Sequence, residues 1–323
     1  MHSTEEINKR IEIAFSELEF PPAPAGLYEP IAYTLALGGK RLRPMLVLSA
    51  CELFGGNIEE AIYPAVGIEL FHNFTLLHDD LMDQAPLRRG KETVYKKWNP
   101  NIAILAGDTM FALANRYMIR TRPEKVPALL DLFNLTAVQV CEGQQHDMNF
   151  ESEEVVPIAA YLEMIRLKTA VLLAASLRSG ALIAGATEAH CKLIYDFGIH
   201  IGLAFQLMDD LLDLYSNDEK FGKVKGGDIL AAKKTFRYLK ALELAGNEAA
   251  EFRLLYQSPS GNATEKVQKV RAFFDSKNIE EFTRNEISNC WVKALDTIKS
   301  IGLPAIQVQP LVSYCAKLMQ REY

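Results

Sequence analysis

Asn-Gly and Asp-Gly hairpin turns are almost missing from this chain, and alternating apolar and polar runs are equally scarce, which excludes a fold built mainly of strands. Paired cysteines are missing as well. Cys51, Cys141, Cys191, Cys290 and Cys315 stand singly, so no spacing suits a zinc site or a redox pair, and they read as buried thiols in a reducing compartment. A general positive field is absent: the net charge is −6 and the isoelectric point about 5.6, which removes nucleic acid as a partner and makes any anion site local. The most apolar stretch, around Ala170 to Ala186, is broken by Arg178 and falls short of a membrane span. Residues 1–20 carry charges throughout, unlike the basic-then-apolar order of a secretory signal. The expectation is a cytoplasmic protein without an integral membrane segment.

What the chain does have is helical periodicity nearly everywhere, with 49% apolar residues to fill a large core. It reads as all-α, a bundle of about ten or more helices. Pro21, Pro22 and Pro24 separate a short charged first helix from the next, and Gly38-Gly39 end that one before Pro44 opens another, leaving Lys40, Arg41 and Arg43 in a tight turn. A helix is expected from about Pro64 to Met82, then a polar loop through Arg88-Arg89-Gly90-Lys91, then a helix from near Asn101. Further helices are expected over 126–140, 159–182, 188–214, 229–244, 264–273, 279–301 and 309–320. No repeat or linker divides the chain, so residues 1–323 read as a single domain.

Asp79 and Asp83, within His78-Asp79-Asp80-Leu81-Met82-Asp83, stand one helical turn apart and share a face that can bridge divalent cations. Magnesium suits so sparse a ligand set, because it keeps several waters and is completed by substrate phosphates. An isolated motif of this kind reads first as a solvated helix end. The pattern recurs, however, as Asp209-Asp210-Leu211-Leu212-Asp213 on a second apolar helix, and so many like charges on apolar faces call for cations to neutralise them. The cationic counterparts are Lys40 and Arg43, Arg88 and Arg89, Lys168, Lys223 and Lys233. Arginine forks and lysine point charges suit phosphate, so the combination implies two diphosphates, one held through magnesium and one held directly.

These motifs resemble the trans-isoprenyl diphosphate synthase family, which includes farnesyl and geranylgeranyl diphosphate synthases, over nearly the whole length. The matching signatures are Gly-Gly-Lys-Arg-Leu-Arg-Pro at 38–44, the first acidic motif with Arg88-Arg89-Gly90, Gly143-Gln144, Lys168-Thr169, and Phe205-Gln206-Leu207-Met208-Asp209-Asp210 leading to Gly222-Lys223, Asp228 and Lys233. The resemblance implies a helical bundle around a central apolar cavity and a head-to-tail condensation of isopentenyl diphosphate with an allylic diphosphate (dimethylallyl, geranyl or farnesyl). It makes Asp79, Asp83 and Asp209 the main magnesium ligands, with Asp80, Asp210 and Asp213 supporting them and about three ions bound beside both diphosphates. Arg88, Lys168, Lys223 and Lys233 would touch the allylic diphosphate, and Lys40, Arg43, His72 and Arg89 isopentenyl diphosphate. Thr169 and Gln206 would flank the developing carbocation, and the chain would form a homodimer.

Lys233 and Lys234 compete for one assignment, and spacing from Asp228 favours Lys233. Arg321-Glu322-Tyr323 lacks the basic tail that some relatives fold over the site. A terpene cyclase would lack the 38–44 turn and the second acidic motif, and a non-catalytic partner subunit would have lost some of these residues. Phe74 and Phe71 lie roughly 7 and 12 Å before the metal site along their helix, at 1.5 Å per residue. By family resemblance Phe74 is a floor that keeps the product to the farnesyl or geranylgeranyl class, with a longer-chain synthase as the alternative.

Overall fold

The structure, a computed structural model, describes residues 2–215, 226–259 and 261–319. It is all-helical apart from one hairpin: α1 Thr4–Ser16, α2 Ala25–Ala36, α3 Leu42–Leu53, α4 Ile62–Met82, β1 Leu87–Arg88, β2 Lys91–Glu92, α5 Val94–Lys97, α6 Pro100–Met118, α7 Val126–Ser152, α8 Ile158–Ile165, a π turn Arg166–Ala170, α9 Val171–Ala184, α10 Glu188–Tyr215, α11 Gly227–Leu230, α12 Phe236–Leu244, α13 Ala249–Gln257, α14 Ala263–Ser276, α15 Ile279–Lys299 and α16 Ala305–Met319. Local signals start several of these. Ser3 and Glu6 form a reciprocal capping box on α1, and the Asn99 side chain caps α6 one residue before Pro100.

Two compact units are distinguished along the chain. The first comprises Met1–Asn134, Ala175–Tyr195 and Leu303–Leu311; the second comprises Leu135–Ala174, Asp196–Gly302 and Val312–Tyr323. In the first, α4 runs against α6, with α3 also packed on α4. Gly67 permits the close approach, since a Cβ there would lie 2.9 Å from the Ala114 carbonyl oxygen. The core of the second unit gathers Tyr161, Leu207, Leu211, Tyr238, Phe252, Tyr256 and Phe274 from α8, α10 and α12 to α14.

Several expectations need correction. The loop at 88–91 is a hairpin, with Leu87 opposite Glu92 and Arg88 opposite Lys91. Arg89 and Gly90 have φ of 53° and 74°, the left-handed pair that a two-residue turn demands, and an arginine at the first of them hid the signal. The run expected over 229–244 is two helices, because Ala232 at φ 51° breaks it. The helix expected over 126–140 extends to Ser152, and α13 has no counterpart among the expected helices. Finally, Ile158–Ala184 taken through the π turn is long and apolar enough to cross a membrane by length and composition alone; 72% of its apolar window is buried, as in a core helix.

Candidate active site

In the first unit the site is built on the C-terminal end of α4. That helix closes in a Schellman motif, with the Gln84 N–H donating to the Leu81 carbonyl and the Ala85 N–H to the Asp80 carbonyl at 2.9 Å, Gln84 taking φ 51° where glycine is usual. The chain then turns through the hairpin and returns Arg88 to the helix. Its Nε donates to both Asp80 oxygens at 2.9 and 2.8 Å, while Nη2 lies 2.7 Å from Asp80 and 3.8 Å from Asp79. Asp80 is buried, and burial raises its pKa although Arg88 opposes the shift. Asp79 is part-exposed and Asp83 exposed. The acidic motif therefore leaves one carboxylate exposed and one part-exposed, and anchors the third.

Beside it lies the cationic turn. Gly38 and Gly39 adopt φ of 74° and 139°, and a Cβ on Gly39 would sit 2.7 Å from the Arg89 guanidinium, so glycine lets that group lie against the backbone. Lys40 is exposed and Arg43 partly buried. His72, about two turns before the first aspartate of the acidic motif, is held well below the usual histidine range by burial and by the charges of Arg43, Arg89, Arg88 and Arg41, so it is neutral among four cations. Phe74 is partly exposed and packs on Phe71, Phe111 and His78, with centroids 5.5, 5.4 and 4.7 Å away. Phe71 is core.

In the second unit the π turn carries Lys168 and Thr169. It is seated between two glycines. A Cβ on Gly143 of α7 would lie 2.7 Å from the Lys168 Cα, and one on Gly202 of α10 would lie 2.5 Å from the Ala170 Cβ. Lys168 Nζ pairs with Asp147 at 2.7 Å. Thr169 Oγ1 donates to Gln206 Oε1 at 3.0 Å, Gln206 Nε2 donates to Asp210 Oδ1 at 3.0 Å, and the Tyr161 hydroxyl donates to the other Asp210 oxygen. Asp209 is exposed, whereas Asp210 is buried and its pKa is pushed up to about 7 by burial and by Asp228. Asp213 is raised for the same reasons. Asp213 and Asp228 are answered by Arg237, whose Nη2 lies 3.5 Å from the first and 2.9 Å from the second. Burial alone would lower the Arg237 pKa; Asp228, Asp210 and Asp213 more than offset that.

Lys234 donates its ammonium to the carbonyls of Phe150 and Glu153, stoppering the C-terminal end of α7. Lys233 is exposed. Lys223 lies outside the described residues. Sequence reasoning missed Glu69, Asp147, Tyr161 and Arg237. Asp147 follows Gly143 by one helical turn and could have been noticed on that face; a buried arginine such as Arg237 has no local signature.

Among the described residues no three His, Cys, Asp or Glu side chains converge to hold a metal by themselves. Asp79 and Asp83 in the first unit are hard oxygen donors too few for a protein-only cage, and so, taken by itself, is Asp209 in the second. They fit magnesium, which takes one or two carboxylates and completes its shell with phosphate and water.

An all-helical fold with two such acidic motifs defines a class, and comparison with known proteins agrees. The sequence model of the polyprenyl synthetase family matches residues 24–274, and the chain belongs to that family. It is 39% identical over 248 residues to a geranylgeranyl diphosphate synthase of Methanosarcina mazei, covering 75% of this chain and 76% of that one. Among solved structures, a geranylgeranyl pyrophosphate synthase superposes with a TM-score of 0.95 at 42% identity, covering 100% of both chains. The geranylgeranyl pyrophosphate synthetase of Pyrococcus horikoshii gives 0.90 at 34% identity, covering 99% of this chain and 97% of that one.

Proposed function

We propose that the protein is a short-chain trans-prenyltransferase that joins isopentenyl diphosphate to an allylic diphosphate and releases a geranylgeranyl or farnesyl diphosphate. The observation that carries this reading is the pair of acidic motifs, one leaving Asp79 and Asp83 part or fully exposed beside anchored Arg88, the other leaving Asp209 exposed on a helix whose Asp213 lies beside anchored Arg237. Asp79, Asp83 and Asp209 would hold magnesium, about three ions when both diphosphates are bound. Magnesium would supply neutralisation of the charge growing on the departing diphosphate. Arg88, Lys168 and Lys233 contact the allylic diphosphate, with Arg88 and Lys168 oriented beforehand by Asp80 and Asp147. Lys40, Arg43, His72 and Arg89 receive isopentenyl diphosphate, whose double bond attacks the allylic carbon as the carbon–oxygen bond to the departing diphosphate breaks; a proton is then lost from the isopentenyl unit to the released diphosphate, completing the new double bond. Neutral His72 offers a hydrogen bond without adding to the repulsion among the arginines. The Thr169–Gln206 pair, fixed by Asp210, flanks the carbocation.

The chain 1–323 works as one polyprenyl synthetase domain, a reading supported by a family match that runs through residues of both compact units. A cytoplasmic location is supported by five unbridged cysteines, four of them buried as expected and Cys141 exposed. The decisive experiment is turnover of purified protein with magnesium, isopentenyl diphosphate and allylic primers. Asp79→Ala and Asp209→Ala are each expected to lower kcat at least about a thousandfold with the helical circular dichroism retained. Turnover within a few-fold of the parent for both would refute the assignment.

Product length is read from Phe74, whose ring is only partly covered. Phe74→Ala opens apolar volume beside α4 and is expected to shift dephosphorylated products to longer chains on chromatography. An unchanged distribution would show that Phe74 is core rather than floor.

A further inference from the structure

The Gly-Gly-Lys-Arg-Leu-Arg-Pro turn carries three basic side chains, and only Lys40 and Arg43 belong to the anion site proposed above. Arg41 is directed into the protein. Its backbone is left-handed at φ 45°, a conformation that disfavours a residue with a Cβ. The guanidinium pairs with Glu69 Oε1 of α4 at 3.0 Å and donates to the Leu35 carbonyl near the end of α2 at 2.8 Å. It also lies 4.1 Å over the Phe15 ring near the end of α1. One side chain thus ties three helices to the residue that caps a fourth. Glu69 is buried and Arg41 largely so, at 4% and 13% side-chain exposure. Glu69 also receives the Asn73 amide on its backbone carbonyl at 2.8 Å, while its Oε2 has no hydrogen-bond partner among the described residues.

A buried ion pair adds little net stability, because desolvation of both charges offsets their attraction; what it does provide is a fixed orientation. Here the orientation concerns a turn in which Gly38, Gly39 and Arg41 all have positive φ, so local preference does not hold it in shape. Glu69 is moreover a buried anion that serves two arginines: its charge favours the ionised form of Arg89 as well as pairing with Arg41. We infer that Arg41 and Glu69 are a positioning pair for isopentenyl diphosphate. Neither touches the ligand. They preset the turn so that Lys40 and Arg43 are presented together, and Glu69 lowers the repulsion among cations that must assemble before the ligand arrives. This inference rests on the assignment of Lys40 and Arg43 to that ligand.

The test replaces the pair by apolar residues of similar size, Arg41→Met with Glu69→Leu, a change that buried ion pairs often tolerate without loss of stability. The full chain is assayed for thermal midpoint, for separate KM values of the two substrates, and for calorimetric binding of isopentenyl diphosphate alone. The expected result is a folded variant whose KM and Kd for isopentenyl diphosphate rise about tenfold, the effect of one misplaced charge-assisted contact, while the allylic KM stays within about twofold. A folded variant with isopentenyl diphosphate KM and Kd within about twofold of the parent overturns the inference. If the double variant does not fold, Glu69→Gln decides: a selective rise of about threefold or more supports it, and no selective rise overturns it. Lys40→Ala and Arg43→Ala run in parallel. If they leave isopentenyl diphosphate binding unchanged, the assignment of the turn falls and the pair's role with it; if they weaken it while the pair variants do not, only the pair's role falls.

Discussion

Asp79 and Asp80 are neighbours in sequence, yet Arg88 clamps the second while the first stays part-exposed. Asp209 and Asp210 repeat the division, as do Lys233 and Lys234, and Lys40 and Arg41: one residue of each couple faces solvent and the other is anchored in the protein. On a helix this follows from the rotation of about 100° per residue, which sends adjacent side chains to different faces. His72 illustrates what such crowding does to titration. In the unfolded chain it binds a proton below its ordinary value of 6.5, whereas the folded form stays neutral well below that. At this site the unfolded state therefore binds more protons at low pH, and the His72 contribution to stability falls as pH drops through 6.5, by up to about 1.4 kcal/mol per unit, whereas buried Asp210, raised to about 7, contributes with the opposite sign. Chemical denaturation between pH 5 and 8 is expected to show the parent losing stability relative to His72→Asn as pH drops; a constant difference would mean that His72 is protonated in the fold.

At the scale of elements, the site depends on irregularities more than on the helices themselves. A Schellman end with glutamine in the glycine position stops α4 at the acidic motif, and an Arg89-Gly90 turn returns Arg88 to it. The π turn Arg166–Ala170 presents Lys168 and Thr169 where a regular helix would rotate them away. That turn is pressed against Gly143, where an added Cβ would fall within 2.7 Å of the Lys168 Cα. Backbone cannot yield as a flexible side chain does, so Gly143→Ala is expected to lower stability by roughly 1–3 kcal/mol and to weaken allylic substrate binding more than isopentenyl diphosphate binding. Urea unfolding and the two Michaelis constants check both parts. A variant as stable as the parent would show that the π turn shifts freely.

On the scale of the molecule, residues of both compact units fall within the family match, which is why one sequence signature spans them. Several large apolar side chains remain exposed, among them Ile104 and Leu105 on α6 and Leu135 and Val138 on α7. Exposure of that kind is expected where a second copy binds, and on that ground we propose a homodimer. Light scattering at assay concentration is expected to give about twice the sequence mass, and Leu105→Glu or Val138→Glu to shift it toward the monomer. A monomeric, fully active parent would remove the dimer.

The all-helical class and both acidic motifs were legible in the sequence, because each rests on spacing along a single helix. Asp79 with Asp83, Lys40 with Arg43, and Lys168 with Thr169 need no distant residue to be recognised. Tertiary structure decided which member of each like-charged couple is anchored, since that depends on partners far along the chain: Arg88 for Asp80, Tyr161 for Asp210, Glu69 for Arg41, and the α7 carbonyls for Lys234. It alone revealed Arg237, which as a sequence letter looks like any helical arginine and becomes the buried counter-charge of Asp213 and Asp228 only after α10, α11 and α12 have packed. Periodicity is a local property and survives in the sequence; the burial of a charge is set by everything that surrounds it, and so appears only in the folded chain.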